Sequence, residues 1–106
     1  MRRGELGRFS DALFLVLSSL ADGPKHGYAM IEDIRAFSST LLEPGTLYGA
    51  IARLEQRGWI QPLPAEDRRR PYRITSAGTD ALRAQVETME QVVSAGRRRL
   101  RLLEGS

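Results

Sequence analysis

The chain has 106 residues, 42% hydrophobic and 27% charged, the size and make-up of one globular domain with a modest core. It contains no cysteine, which excludes disulfide frameworks and thiolate metal sites and fits a reducing cytoplasmic setting. Its 16 Lys and Arg against 13 Asp and Glu leave a net charge of +3, and all the cations but Lys25 are arginine. The longest apolar run, 12–17, lies between Asp11 and Ser18 and is too short to span a bilayer. Met1-Arg2-Arg3 has the charge of a secretory leader, but Glu5 and Arg8 break up the stretch after it and no small-residue cleavage site appears.

Residues 1–9 have no period and are expected to form a flexible arm. Ser10 is expected to cap a first helix, with Asp11 in its first turn, because Leu13, Val16, Leu17 and Leu20 recur at helical spacing. Asp22-Gly23-Pro24 ends that helix, since Gly accepts reversed dihedrals and Pro cannot continue the ladder. A second helix is expected over 26–37, with Met30, Ile31 and Ile34 inward, followed by the polar connector Ser38-Ser39-Thr40. A third starts at Pro44, where the missing N–H costs nothing, and runs to Gln56 before Gly58 terminates it. Residues 59–63 and 71–74 read as two strands around a turn over 64–70. Thr75 is expected to cap a last helix reaching about Leu103.

Three helices, a hairpin tipped with arginine and a long helix are the layout of a winged helix-turn-helix. The fold class is therefore mainly α (α+β), with a two-stranded wing. The organisation is an arm over 1–9, a DNA-binding type of domain over 10–75 and a C-terminal dimerisation helix over 76–106. Arg68, Arg69, Arg70 and Arg73 crowd the hairpin, and Arg97, Arg98, Arg99 and Arg101 crowd the end of the last helix. Such clusters are the footprint expected of phosphate binding; the plain alternative is a solvated loop or helix end.

On a helical wheel of the third helix, Leu47, Ile51 and Leu54 fall in one arc, with Ala50 at its edge. Together with Leu17, Ile31, Ile34 and Ile74 they are the expected core. The opposite arc carries Gly45, Gly49, Ala52 and Gln56, flanked by Thr46, Tyr48 and Arg53, with no acid among them. Small residues let a helix approach the floor of a major groove, while Arg53 and Gln56 reach for base edges. Ordinary solvent faces are rich in Glu and Lys, and each glycine costs ~1 kcal/mol relative to alanine, so a functional face is the better reading. Arg68, Arg69, Arg70 and Tyr72 would then contact phosphates from the wing. Arg69, at the wing tip, has no element around it that would orient it toward a particular base, so it is expected to neutralise phosphate.

Leu82, Val86, Met89, Val93, Gly96, Leu100 and Leu103 keep an alternating four–three spacing along the last helix. A sustained heptad stripe argues for helix-on-helix packing. Leu82 and Val86, near the domain, can instead pack on the chain's own core, but a helix of that length outruns so small a body, so its outer half calls for another partner, most simply a second copy or the first helix of one. Twofold symmetry would present two third helices to successive major grooves of an inverted-repeat operator.

An enzyme is the main competing class. With no Cys and the single histidine His26, nucleophile–base pairs are nearly out of reach, and His26 reads as a capping or packing residue. Glu32-Asp33 and Glu66-Asp67 are adjacent pairs whose members point in different directions, no Gly-rich phosphate loop follows a strand, and no paired metal-ligand spacing appears. No catalytic residue, metal or cofactor is therefore assigned. A winged-helix module used only for protein interaction is the second alternative; such modules usually lose the positive wing, and three consecutive arginines stand here.

The segments HGYAM at 26–30, PGTLYGAIARLEQRGWI at 44–60 and RRRPYRITSAG at 68–78 resemble the PadR family of bacterial transcriptional regulators. The resemblance runs in order and spacing from about Ser10 to Leu82. It implies a dimeric winged-helix regulator, usually a repressor, that leaves its operator when an effector binds. Two departures stand out. Glu43 occupies the position before Pro-Gly-Thr where the family often has Ser or Thr; a carboxylate there can cap the helix but would repel a facing phosphate. The C-terminal region is one helix, as in the small-sized branch of the family, some of whose members stack flat drugs on a tryptophan of that helix. The only tryptophan here is Trp59, at the hairpin start. The drug-stacking slot of that branch is therefore not carried over; a planar aromatic effector is expected instead in an apolar hollow enclosed by the dimerising helices and bordered by Trp59 or Phe14.

Overall fold

The computed structural model describes residues 11–105; the expected arm and the capping role of Ser10 lie outside them. Helix α1, Ala12–Leu20, is capped by Asp11, whose Oδ1 accepts the Leu13 N–H at 2.9 Å. Asp11 thus precedes the first turn rather than joining it. Leu13, Leu15, Val16, Leu17, Ser19 and Leu20 are all buried, so α1 is apolar nearly all round and runs through the centre. Its one buried hydroxyl, Ser19, donates to Asp33 Oδ2 at 2.7 Å. Lys25 Nζ in turn donates to the Ser19 carbonyl and to Asp22, so the end of α1 is tied to the next helix without an orphaned polar group.

Helix α2, Gly27–Ser38, takes His26 as its cap and ends at Ser39, which adopts the left-handed conformation with φ 59°. Helix α3, Pro44–Gln56, has the bounds read from the sequence. Leu47, Ala50, Ile51 and Leu54 bury one side of α3 against Leu17, Leu20, Met30 and Ile34. Ile31 and Ile74, expected inside, are only partly buried at the margin of this core. Gly58 follows with φ 74°, donating to the Glu55 carbonyl, while the Trp59 N–H donates to Leu54.

Strands β1, Ile60–Pro62, and β2, Tyr72–Ile74, pair antiparallel in the register Ile60↔Ile74, Gln61↔Arg73 and Pro62↔Tyr72. Both are shorter than their sequence patterns because Trp59 has already spent its N–H on α3 and Pro71 has none to give. Lys25 and Tyr72 exchange backbone hydrogen bonds at 3.0 and 3.2 Å, adding the segment before α2 to the free edge of β2. The wing is thereby held against the start of α2.

Helix α4, Ser76–Glu104, is a single helix of 29 residues, ~44 Å at the usual rise. Thr75 Oγ1 accepts the Gly78 N–H at 3.1 Å and donates to the Gly58 carbonyl at 2.7 Å, and the Thr75 N–H donates to the Trp59 carbonyl at 3.0 Å. Gly78 is buried here, and a Cβ on it would stand 2.0 Å from the Trp59 oxygen. Leu82 packs against the core, the next turns run alongside Phe14 of α1, and the remainder of the helix projects from the body, giving extents of 59 × 27 × 20 Å. The architecture is a winged helix-turn-helix carrying a long C-terminal helix. Among the described residues no helix is long and apolar enough to cross a membrane.

Candidate nucleic-acid interface

The exposed side of α3 divides in two. Gly45, Thr46, Gly49 and Arg53 border a cleft with the 39–43 loop and the start of α1, where Asp11 and Glu43 also lie. Glu43 is the N-cap residue of α3, yet its side chain makes no capping hydrogen bond; the carboxylate that could cap does not. Ala52 and Gln56 are exposed further along the helix. Tyr48 turns the other way. Although half exposed, its ring end lies over Gly27, where an added Cβ would meet the hydroxyl oxygen at 2.5 Å. Gly27 is therefore a packing glycine that lets α2 and α3 meet, and the Tyr48 hydroxyl borders the wing side.

That second cleft, about 430 Å³, is lined by His26, Gly27, Tyr28, Tyr48, Tyr72 and Arg68, Arg69 and Arg70 of the wing. The wing tip is a tight turn in which Glu66 and Arg69 exchange backbone hydrogen bonds and both central residues, Asp67 and Arg68, have positive φ. This conformation suits the twist of a hairpin. Arg70 Nη1 donates to the Leu63 carbonyl at 2.9 Å and Arg73 Nη2 to Gln61 Oε1 at 2.8 Å, so both lean along the hairpin. Arg69 has a neighbour from outside the hairpin: its Nη1 lies 3.4 Å from Nε2 of His26. The Lys25–Tyr72 pairing brings them together across forty-three positions, which no local pattern reveals.

Tyr72, grouped with the phosphate contacts on sequence, is half-buried against the core. Burial, then the nearby Glu55 charge, pushes its hydroxyl ionisation above the usual tyrosine value. Tyr28 stays exposed, and its hydrogen bond to the Glu32 carboxylate raises its ionisation likewise.

On α4, Leu82 is half-buried, whereas Val86, Met89, Val93 and Leu100 are substantially exposed and Leu103 more so. Gly96 lies in open space within an uninterrupted helix. Phe14, Val86, Met89 and Val93 line a groove of about 390 Å³ between α1 and α4, edged by Glu90 and Arg97. Trp59 does not line it; its ring lies under the Arg57 guanidinium, 5.1 Å from the centroid, at the far end of α3. Among the described residues no group of three His, Cys, Asp or Glu is placed to hold a metal.

Residues 16–84 match the Transcriptional regulator PadR-like family. The chain belongs to this family. It is 45% identical over 85 residues to an uncharacterized 37.1 kDa protein in a transposon of Streptomyces fradiae, covering 80% of this chain but only 25% of that protein. Among solved structures, a PadR family transcriptional regulator from Eggerthella lenta is 33% identical, with a TM-score of 0.71 over 91% of this chain and 85% of that one. A transcriptional regulator from Clostridium thermocellum is 28% identical, with a TM-score of 0.75 over 92% and 96%. The PadR-like match covers most of α1, all of α2 and α3, the wing and the start of α4, so the wing cleft and the α3 side of the other cleft lie inside it, whereas Asp11, Ala12 and Leu13 at the rim of that cleft and most of the exposed stripe of α4 lie beyond it.

Proposed function

We propose that this PadR-like regulator is a cytoplasmic homodimer that binds an inverted-repeat DNA operator, represses from it, and is released by a small planar aromatic effector. The observation that carries the DNA reading is the pair Gly45 and Gly49. Both are exposed, and a Cβ at either would meet nothing within 4 Å, so internal packing does not ask for glycine there. Helix α3 nevertheless bears the cost of two, ~1 kcal/mol each against alanine. A partner that needs the helix axis close to it accounts for that cost, and the floor of a major groove is such a partner. Arg53 and Gln56 stand beside the bare stretch for base edges, and Arg68, Arg69 and Arg70 for the flanking phosphates.

The exposed apolar stripe of α4 supports pairing with a second copy. The groove beside Phe14 is continuous with that stripe and is where an aromatic effector would be read; Phe14, not Trp59, is the ring available to it.

The deciding experiment compares Gly49→Glu with Gly49→Ala, titrated against operator and scrambled duplex at several salt concentrations. Gly49→Ala should fold more stably, by up to ~1 kcal/mol. Gly49→Glu should fold, as circular dichroism would report, and lose operator binding. A folded Gly49→Glu protein that binds operator at full strength ends the assignment of α3 as the groove helix.

A further inference from the structure

His26 is the only histidine in the chain, and its two ring nitrogens face opposite demands. Nδ1 accepts the Ala29 N–H at 3.4 Å as the cap of α2, which requires that nitrogen to be bare. A neutral imidazole has one donor and one acceptor nitrogen, so its proton then sits on Nε2. Nε2 lies 3.4 Å from Nη1 of Arg69, and a guanidinium has only donors. Two N–H groups therefore converge with no acceptor between them. The other tautomer satisfies Arg69 but sets a proton on Nδ1 against the Ala29 N–H, so each neutral form meets one contact at the expense of the other. An oxygen shared by both donors removes the conflict. One cleft bordered by the pair also holds Arg68 and Arg70 and no carboxylate, which favours an anionic oxygen there; Glu66 and Asp67 line a separate cleft that His26 and Arg69 also border, with Pro24, Lys25 and Pro71.

We propose that His26 and Arg69 jointly hold one backbone phosphate of bound duplex DNA, His26 through its Nε2–H and Arg69 through Nη1, so that the residue capping α2 is also a DNA contact. This rests on the DNA-binding reading above and adds a residue to it. Capping fixes the tautomer, and the tautomer supplies the donor.

A single histidine gives a single imidazole in a ring-nitrogen NMR spectrum. The free protein should show Nδ1 unprotonated and Nε2 protonated, and a short duplex should shift the Nε2–H signal. Two variants separate the roles. His26→Asn retains a capping oxygen near the place of Nδ1 and loses the outer donor; His26→Gln keeps an amide N–H near the place of Nε2 and gives up the cap. His26→Asn should melt like the wild type and bind duplex roughly tenfold more weakly, as expected for a lost charge-assisted hydrogen bond. That loss should largely vanish in an Arg69→Ala background, because the two share one phosphate. His26→Gln should melt earlier yet recover most of the affinity. Unchanged or tighter binding by His26→Asn, or the same fold-loss with and without Arg69, overturns the shared phosphate while the wild type and Gly49→Glu still differ on operator. A wild type that binds no duplex brings down the DNA reading itself.

Discussion

Glu43 is a residue in the wrong chemical form for its position. It has the extended backbone of an N-cap, yet its carboxylate takes none of the first-turn N–H groups of α3, and it lies beside Gly45 and Thr46 on the proposed DNA side. A serine is short enough to cap there and carries no charge. Glu43→Ser should raise stability by about 0.5–1 kcal/mol in a thermal melt and tighten binding to duplex of any sequence, since the change removes repulsion rather than altering a base contact. A lower melting temperature would mean that the carboxylate has a structural partner after all. Tyr48 teaches a related lesson. On the wheel it flanks the bare face, but the side chain leans over Gly27, and only the neighbouring helix determines that.

At the scale of elements, much of the fold was legible because proline, glycine and threonine punctuate it chemically. Pro44 and Gln56 bound α3 as the sequence suggests, and Thr75 caps α4. The ends of the strands were less legible because they depend on competition for N–H groups: Trp59 spends its own on α3, and Lys25 pairs with β2 from outside the hairpin. The division of the candidate site into an α3 cleft and a wing cleft was hidden for the same reason, since that pairing is what carries His26 to Arg69. The junction between hairpin and α4 is the most constrained point. A methyl group on Gly78 would collide with the Trp59 carbonyl, which is backbone and cannot rotate aside. Gly78→Ala should therefore destabilise the protein by about 1–3 kcal/mol or more, despite alanine's better helix propensity. Unchanged denaturant unfolding would show that α4 can slide away from the hairpin freely.

For the whole molecule, the decisive feature is how far α4 extends beyond its own core, with Met89 and Val93 substantially exposed and the groove beside Phe14 open along it. On the dimer reading, Met89→Glu places unpaired charges in the seam and should split the dimer at micromolar concentration, as light scattering would report. A variant that stays dimeric and binds operator normally removes α4 from the interface. The joint at Thr75 gives this arrangement a mechanical meaning. The Trp59 backbone is committed at both ends, its N–H to Leu54 of α3 and its carbonyl to Thr75 at the head of α4, which leaves little slack between the two helices. They behave as the arm and the point of a drawing compass. A tilt of about 10° along an arm of ~44 Å displaces its end by roughly 8 Å, a large fraction of the ~34 Å that separates successive major grooves. On the proposed reading of a dimer released by an effector, a ligand wedged beside Phe14 would need to open the arms only slightly for the two points to miss their grooves together.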